Sequence, residues 1–553
     1  MANINFKGKE IVRNHHLTIP YHELIPDAKK GLSKKPSLND NLIIHGDNLL
    51  ALKALLPTYA GKVKCIYIDP PYNTGNEKWA YNDNVSSPMM KEWLGKVVDK
   101  DDLTRHDKWL CMMMPRLKLL RELLRDDGVI FVSINDIEQH HLRSLMDEVF
   151  NDGFVSSIVR QTIKGGTGPS DSIRLTHDYI LVYAKDKDVA DLSGLTAEAI
   201  ELDQEDEKGL YAKGRELNKW GAGSRREDSP SMWFPIPGPK NEEVYPIRND
   251  GSEGRWRWGK KRMLEAVKNK EVIYEKRKDG TYIVYEKVRS NDGRSKSYQS
   301  LFLDKYTNAL GTEEIKSIFD GKAIFDYPKP TELVKTLCRI ASVGEGDIVL
   351  DSFAGSGTTA QAVLSFIKEE EINIKFILVQ LSEKIEEDKP AYKLGFREVV
   401  DITAERVRRV ITGVKSARDE NIQKGLGGSF SYYQLGKPID TERILKGKDL
   451  PTFAEMARYI FYTATGEEFN EKKVSEKTGL IGESKEYQVY LLYKPDMEYL
   501  KSTALTLERA EALGKFGGKK RLVFAPMKYL DQEHLERLHV DFAQLPFEIY
   551  QKQ

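Results

Sequence analysis

Short apolar runs rich in Val and Ile recur along the chain, two of them ending directly in Asp: Val63 to Ile68, Gly128 to Ile134, Tyr179 to Tyr183, Ile348 to Leu350 and Phe376 to Leu381. Runs without polar alternation suit strands covered on both faces, as in parallel sheets. Between them, Trp109 to Arg125, Thr331 to Ala341, Thr358 to Lys368 and Ala404 to Lys415 carry helical apolar spacing. Strand and helix in alternation predict an α/β fold with a doubly wound, mostly parallel sheet. The Met112, Met113, Met114 run lies inside one helical pattern and reads as core filling.

The pattern lapses into an acidic, loop-like stretch from Ala190 to Glu207. From Lys208 to Lys296 basic residues outnumber acidic ones, and four of the seven tryptophans (Trp220, Trp233, Trp256, Trp258) fall in the same window. Basic residues interleaved with aromatics suit a nucleic-acid-binding insertion, and a β-rich subdomain with a solvated basic face is the alternative. Residues Ser416 to Ser429 (SARDENIQKGLGGS) read as a polar, Gly-rich linker to a separate α+β unit with no legible chemistry. The domains expected are therefore 1–189, an insertion at 190–310, a continuation at 311–415, and a C-terminal domain at 425–553.

Composition narrows the class. With 553 residues, 40% hydrophobic and 31% charged, the chain is neither disordered, collagenous nor coiled-coil. Lys plus Arg (85) equal Asp plus Glu (85), which excludes a uniformly basic nucleic-acid coat. Cys65, Cys111 and Cys338 lie far apart, so neither a disulfide framework nor a zinc ribbon is expected, and no metal site. Met1 to Tyr21 has no apolar signal core, and no stretch approaches the ~18 apolar residues of a membrane span, so a soluble cytoplasmic protein is expected.

Two motifs carry chemistry. Asp69, Pro70, Pro71 and Tyr72 (DPPY) directly follow the apolar run CIYI. At the C-terminal edge of a parallel sheet, a turn fixed by two prolines points a carboxylate, a backbone carbonyl and an aromatic face into one crevice. Those groups match the needs of amine methylation. An exocyclic amine conjugated to a base is a poor nucleophile, and hydrogen bonds from its N–H groups to Asp69 and the Pro70 carbonyl would localise its lone pair. Tyr72 could stack on a base rotated out of a duplex. An ordinary Pro-rich turn is the plain alternative.

The second motif, Asp351 to Thr359 (DSFAGSGTT), also follows a strand and opens a helix. Gly355 and Gly357 permit a sharp turn and close approach to a ligand, and the helix start offers free N–H groups. It lacks the GxxxxGK[ST] spacing of a phosphate loop, so a different cofactor is expected.

DPPY followed by a basic insertion and then FxGxG resembles the beta class of DNA amino-methyltransferases that use S-adenosylmethionine. The likeness extends over residues 40 to 415, through GDNLLALKALL, YIDPPYNTG, RLKLLRELLRDDGVIFVSIND, HDYILVYAK and DYPKPTELVKTLCRIAS. YNTG after DPP, with FILVQLSE (Phe376 to Glu383), looks most like the modification subunits of type III restriction-modification systems. The resemblance implies a Rossmann-like class I methyltransferase fold acting on adenine N6 of double-stranded DNA. It implies Asp69, Pro70, Pro71 and Tyr72 as catalytic, with Asp351, Phe353, Ala354, Gly355, Gly357 and Thr358 at S-adenosylmethionine. Lys329, Pro330 and Thr331 would border the cofactor. Where many relatives hold the ribose with an acidic residue, this chain has Gln380, with Glu383 three residues on. A homodimer and a restriction (helicase-nuclease) subunit are the partners implied.

Cytosine-N4, RNA or a planar protein amide is the alternative substrate, and a catalytically silent DNA-binding specificity subunit is the reading outside enzymology. DNA recognition is assigned to the insertion, through Arg225, Arg226, Arg255, Arg257, Lys260, Lys261 and Arg262 on phosphates or base edges. A solvated basic helix face around Lys260 to Lys270 is an equal reading for some of them.

Overall fold

The apolar runs assemble into one ten-stranded sheet. In a computed structural model, residues 4–74, 104–165, 173–192, 202–219, 223–289, 297–439, 450–467, 469–514 and 516–545 are described. Across the sheet the strands run Tyr21–Pro26, Ser431–Ile439, Leu42–His45, Lys375–Gln380, Ile348–Asp351, Val63–Ile68, Leu124–Ile134, His177–Ala184, Phe154–Gln161 and Leu301–Phe302. From Ser431–Ile439 to Leu124–Ile134 every neighbouring pair is parallel. Strands Val63–Ile68 and Ile348–Asp351 are buried at every position, which is why they carry no polar alternation. His177–Ala184 carries the apolar run Tyr179 to Tyr183 but runs antiparallel to both its neighbours, so its apolar run marks burial and not direction. The predicted helices span Arg105–Leu123, Thr331–Ile340, Thr358–Glu370 and Val399–Thr412, and Met112, Met113 and Met114 are buried core residues.

Two compact units result: 1–193 together with 299–553, and 194–298. The expected insertion ends earlier than 310, because Leu301–Phe302 adds to the sheet edge beside Val159 and Arg160. The C-terminal boundary also differs from expectation. Ser431–Ile439 lies inside the ten-stranded sheet, with Ser431, Tyr432 and Tyr433 buried against Leu42, Ile43 and Ile44. The Gly-rich stretch before it contains a short helix, Glu420–Lys424, capped by Asp419. The remaining C-terminal residues form a four-stranded sheet (Leu480–Glu483, Tyr487–Leu491, Lys520–Ala525, Val540–Gln544). Helix Phe453–Thr465 shares a core with that sheet and with Tyr21 and Ala54. Shared apolar burial thus joins this segment to the larger unit instead of leaving it a separate domain.

The 194–298 unit is a four-stranded antiparallel sheet (Val272–Lys276, Tyr282–Val288, Gly209–Glu216, Gln204–Asp206) with helix Lys260–Lys268. Its small core holds Leu217, Phe234, Ile236, Trp256, Trp258 and Met263. Among the described residues, no helix is long and apolar enough to cross a membrane.

Candidate active site

The two motif strands are neighbours. Val349 pairs with Cys65 and Leu350 with Ile66 in parallel register, so both motif loops leave the same edge of the sheet. The chain proceeds from Ile348–Asp351 to Lys375–Gln380 on one side and from Val63–Ile68 to Leu124–Ile134 on the other. Loops that turn opposite ways between neighbouring parallel strands open a crevice at their C-terminal ends, the usual ligand position in such sheets.

The DPPY loop is held from several sides. Trp109 donates its indole N–H to the Pro71 carbonyl at 2.7 Å. The Tyr72 hydroxyl donates to Asp178 at 3.2 Å, and Asp178 is gripped by buried Arg160, whose Nε lies 2.8 Å from Oδ1. Arg160 also donates to the Tyr306 carbonyl at 2.7 Å. Burial and the nearby Asp69 charge raise the Tyr72 hydroxyl well above its ordinary value, so it stays a neutral donor. Asn73, at φ 58°, turns the chain out of the motif and donates from its amide to Glu138 at 2.5 Å. Glu138 is fully buried, with His106 Nδ1 at 2.6 Å and His141 Nδ1 at 2.9 Å. These three residues bring ligand-type atoms within 4.8 Å of one another, with each histidine at hydrogen-bond distance from Glu138.

Asp69 divides its two oxygens. Oδ2 lies 2.5 Å from the Lys329 ammonium, whereas Oδ1 is buried with no hydrogen-bond partner among the described residues. Lys329 Nζ also sits 5.2 Å from the centre of the Tyr72 ring.

In the glycine loop, Gly355 (φ 51°) and Gly357 (φ 82°) occupy the left-handed region that glycine adopts without strain. Gly357 precedes helix Thr358–Glu370 directly. Asp351 accepts the Phe353 N–H at 3.0 Å and the Thr359 hydroxyl at 2.5 Å. Burial pushes its carboxyl up to about 7, against the pull of those two donors. Gln380 is buried and accepts the Gly355 N–H at 2.7 Å, so its carbonyl braces the loop; Glu383 is exposed just beyond the strand. Ala354 donates its N–H to the Val379 carbonyl at 3.1 Å, and Thr358 Oγ1 lies 3.2 Å from the Lys329 carbonyl. Thr331 donates its N–H to Glu314 at 3.0 Å, and Pro330 occupies the N-cap of helix Thr331–Ile340. The first-motif and second-motif residues and the Lys329–Thr331 segment therefore converge on one crevice.

In the 194–298 unit, Arg225, Arg226, Lys260, Lys261 and Arg262 are exposed. Arg255 and Arg257 are half-buried and donate from Nε to the carbonyls of Gly223 (2.7 Å) and Glu216 (2.8 Å), so both guanidiniums brace their own unit. Trp256 and Trp258 are core residues, and Trp233 stacks on Tyr245 at 4.9 Å with Arg226 over its ring; Trp220 lies outside the described residues. Lys260 and Lys261 open their helix, where the backbone dipole disfavours cations.

Several structural contributors escaped the sequence reading. Buried Arg406 lies 2.8 Å from both the Ser356 and the Thr358 hydroxyls, and Thr403 donates to the Gly355 carbonyl at 2.5 Å. Glu138 with His106, and Arg160 with Asp178, were also missed. The one local signal was a charged Arg160 inside an otherwise strand-like SSIVRQ run; the other partners are too distant in sequence to signal one another.

A DNA methylase family model matches residues 63–388. The EcoPI Mod subunit of a type III restriction-modification enzyme from Escherichia phage P1 is 35% identical over 462 residues, covering 76% of this chain and 70% of that one. Type II methyltransferase M.KpnI from Klebsiella pneumoniae is 34% identical over 403 residues, covering 70% of this chain and 92% of that one. The StyLTI Mod subunit of Salmonella typhimurium is 28% identical over 529 residues, covering 90% and 77%. The match spans both motif loops, the crevice between them and the inserted unit, and by it this chain belongs to the DNA methylase family.

Proposed function

We propose that this chain transfers a methyl group from S-adenosylmethionine to the N6 amine of an adenine turned out of double-stranded DNA. In this reading it acts in the cytoplasm as the modification subunit of a type III restriction-modification system. The observation that carries the reading is the paired oxygens of Asp69, one fixed by Lys329 and one buried without a donor, beside the Tyr72 ring. A buried carboxylate oxygen without a donor is costly unless a ligand supplies one.

The crevice fits the cofactor. Its glycine loop turns through two left-handed glycines into a helix start, and buried Ser352 Oγ, like Asp69 Oδ1, lacks a partner among the described residues. Phe353, Ala354, Gly355, Gly357 and Thr358 would hold it, with Pro330 and Thr331 behind. When bound, S-adenosylmethionine supplies an electrophilic methyl group. Asp69 Oδ1 and the Pro70 carbonyl accept the two amine N–H groups, which keeps the nitrogen lone pair out of the ring and directed across the crevice. Tyr72 supplies the stacking face, and its hydroxyl, tied to Asp178, fixes the tilt of that face. Loss of a proton from the methylated, cationic amine restores a neutral base, so Asp69 has no need of unusual basicity.

The two Mod relatives are named as subunits of type III enzymes, which supports a restriction subunit as partner. Pairing of two copies is proposed with it. The 194–298 unit is assigned to DNA, through exposed Arg225, Arg226, Lys260, Lys261 and Arg262.

The test is transfer of labelled methyl to unmethylated genomic DNA, followed by nucleoside separation. Label in N6-methyladenine, reduced at least about a thousandfold in Asp69→Ala while cofactor affinity stays within a few fold, is the expected result. Label in N4-methylcytosine would overturn the base assignment, and an active Asp69→Ala would overturn the role of the carboxylate.

A further inference from the structure

We infer that Lys329 is a positioning residue of the target-amine site, not part of the cofactor's border. The inference rests on the methyl-transfer reading and extends it to a residue 260 positions from Asp69.

Both ends of Lys329 are fixed. Its carbonyl lies 3.2 Å from Thr358 Oγ1 at the start of the glycine-loop helix. Its next neighbours begin helix Thr331–Ile340, where the Thr331 N–H and hydroxyl both reach Glu314 at 3.0 Å. Just before it, the Pro328 carbonyl packs so close to Gly311 of helix Asn308–Ile318 that an added Cβ there would sit 2.1 Å away, leaving the backbone no room to shift toward that helix. From this anchored backbone the side chain, only 10% exposed, extends to Asp69 Oδ2 at 2.5 Å.

The contact decides which oxygen of Asp69 is open. With the ammonium on Oδ2, the carboxylate cannot rotate without breaking a charge-assisted bond, and Oδ1 remains the face presented to a donor. Lys329 is also the cation that faces the two motif carboxyls, Asp69 and the buried Asp351, at the ends of neighbouring strands. An ammonium suits this place: it is a compact point charge, able to meet Asp69 while lying 5.2 Å from the centre of the Tyr72 ring.

A role at the cofactor and a role at the amine predict different kinetics. If Lys329 positions Asp69, Lys329→Met, which keeps the apolar stem, lowers kcat at saturating cofactor and DNA by at least about a hundredfold. Cofactor affinity, read by calorimetry, stays within about threefold. Lys329→Arg recovers at least about tenfold over Met, since a guanidinium also pairs with a carboxylate. In a double-mutant cycle, Lys329→Met added to Asp69→Ala produces no further loss. A Lys329→Met enzyme with kcat unchanged and cofactor affinity reduced tenfold or more would overturn the inference and return Lys329 to the cofactor side. Additive losses in the cycle, or an Arg variant no better than Met, would overturn it as well. If the wild type transfers no methyl to DNA, the methyl-transfer reading itself fails, a result distinct from each of these.

Discussion

Around the crevice, charge is buried and paired inward: Arg160 holds Asp178, Glu138 sits between two histidines, and Arg406 reaches the glycine loop. In the 194–298 unit, Glu286 is buried but many ion pairs lie at the surface, among them Arg226–Glu253, Lys213–Glu275 and Lys270–Glu207. The difference is one of burial. Buried charges in a low-dielectric surround fix reacting groups in one geometry, because any displacement leaves a charge unpaired. Exposed pairs contribute little to stability and exchange readily for other partners, which suits the phosphate contacts proposed for this unit.

Breaking a buried pair gives the largest effect. Asp178→Ala leaves Arg160 buried without its carboxylate and removes the acceptor of the Tyr72 hydroxyl. It is expected to destabilise the larger unit by about 3–5 kcal/mol in denaturant titration. A loss below about 1 kcal/mol would place this pair with the surface pairs and undo the contrast.

The next effect concerns Asp351, whose carboxyl burial raises to about 7 from an ordinary 3.8. A carboxyl raised in the folded state takes up a proton more readily than in the unfolded chain. Its stabilising contribution is therefore complete below about pH 4 and is lost as pH rises through about 7. Asp351→Asn keeps an acceptor for the Phe353 N–H and does not titrate. Relative to this variant, wild-type stability should fall by up to about 4 kcal/mol between those limits, read as Tm against pH. Parallel profiles would show that Asp351 does not titrate in that window.

The smallest effect on stability belongs to the insertion. Replacing Lys260, Lys261 and Arg262 together by Ala removes cations from a helix start that disfavours them, so Tm should hold or rise slightly. DNA affinity at moderate salt should fall about tenfold, with a shallower dependence on salt concentration. Unchanged affinity would leave these residues as a solvated helix face.

The fold was legible where local pattern suffices. Apolar runs before DPPY and before DSFAGSGTT identified the two central strands, and their residues converge on one crevice. Arg255 and Arg257 were legible as charge but not as braces, because a sequence does not say which carbonyl a guanidinium will meet. Trp256 and Trp258 read as interface aromatics and proved to be the core of a small unit, which has few other large apolar residues to bury. Gln380, read as a ribose ligand, also accepts the Gly355 N–H, a contact between strand end and loop that no spacing rule encodes.

By itself the sequence determined the kinds of element and the chemistry of the two loops. Strand and helix follow from short-range periodicity, and DPPY and the glycine turn act through backbone geometry fixed within a few residues. Only the tertiary structure decided which elements lie side by side. It placed Ser431–Ile439 between Tyr21–Pro26 and Leu42–His45, added Leu301–Phe302 at the far edge, and set Lys329 against Asp69. The physical reason is that parallel neighbours are joined by long crossovers, so their pairing is chosen by burial and register across the whole sheet.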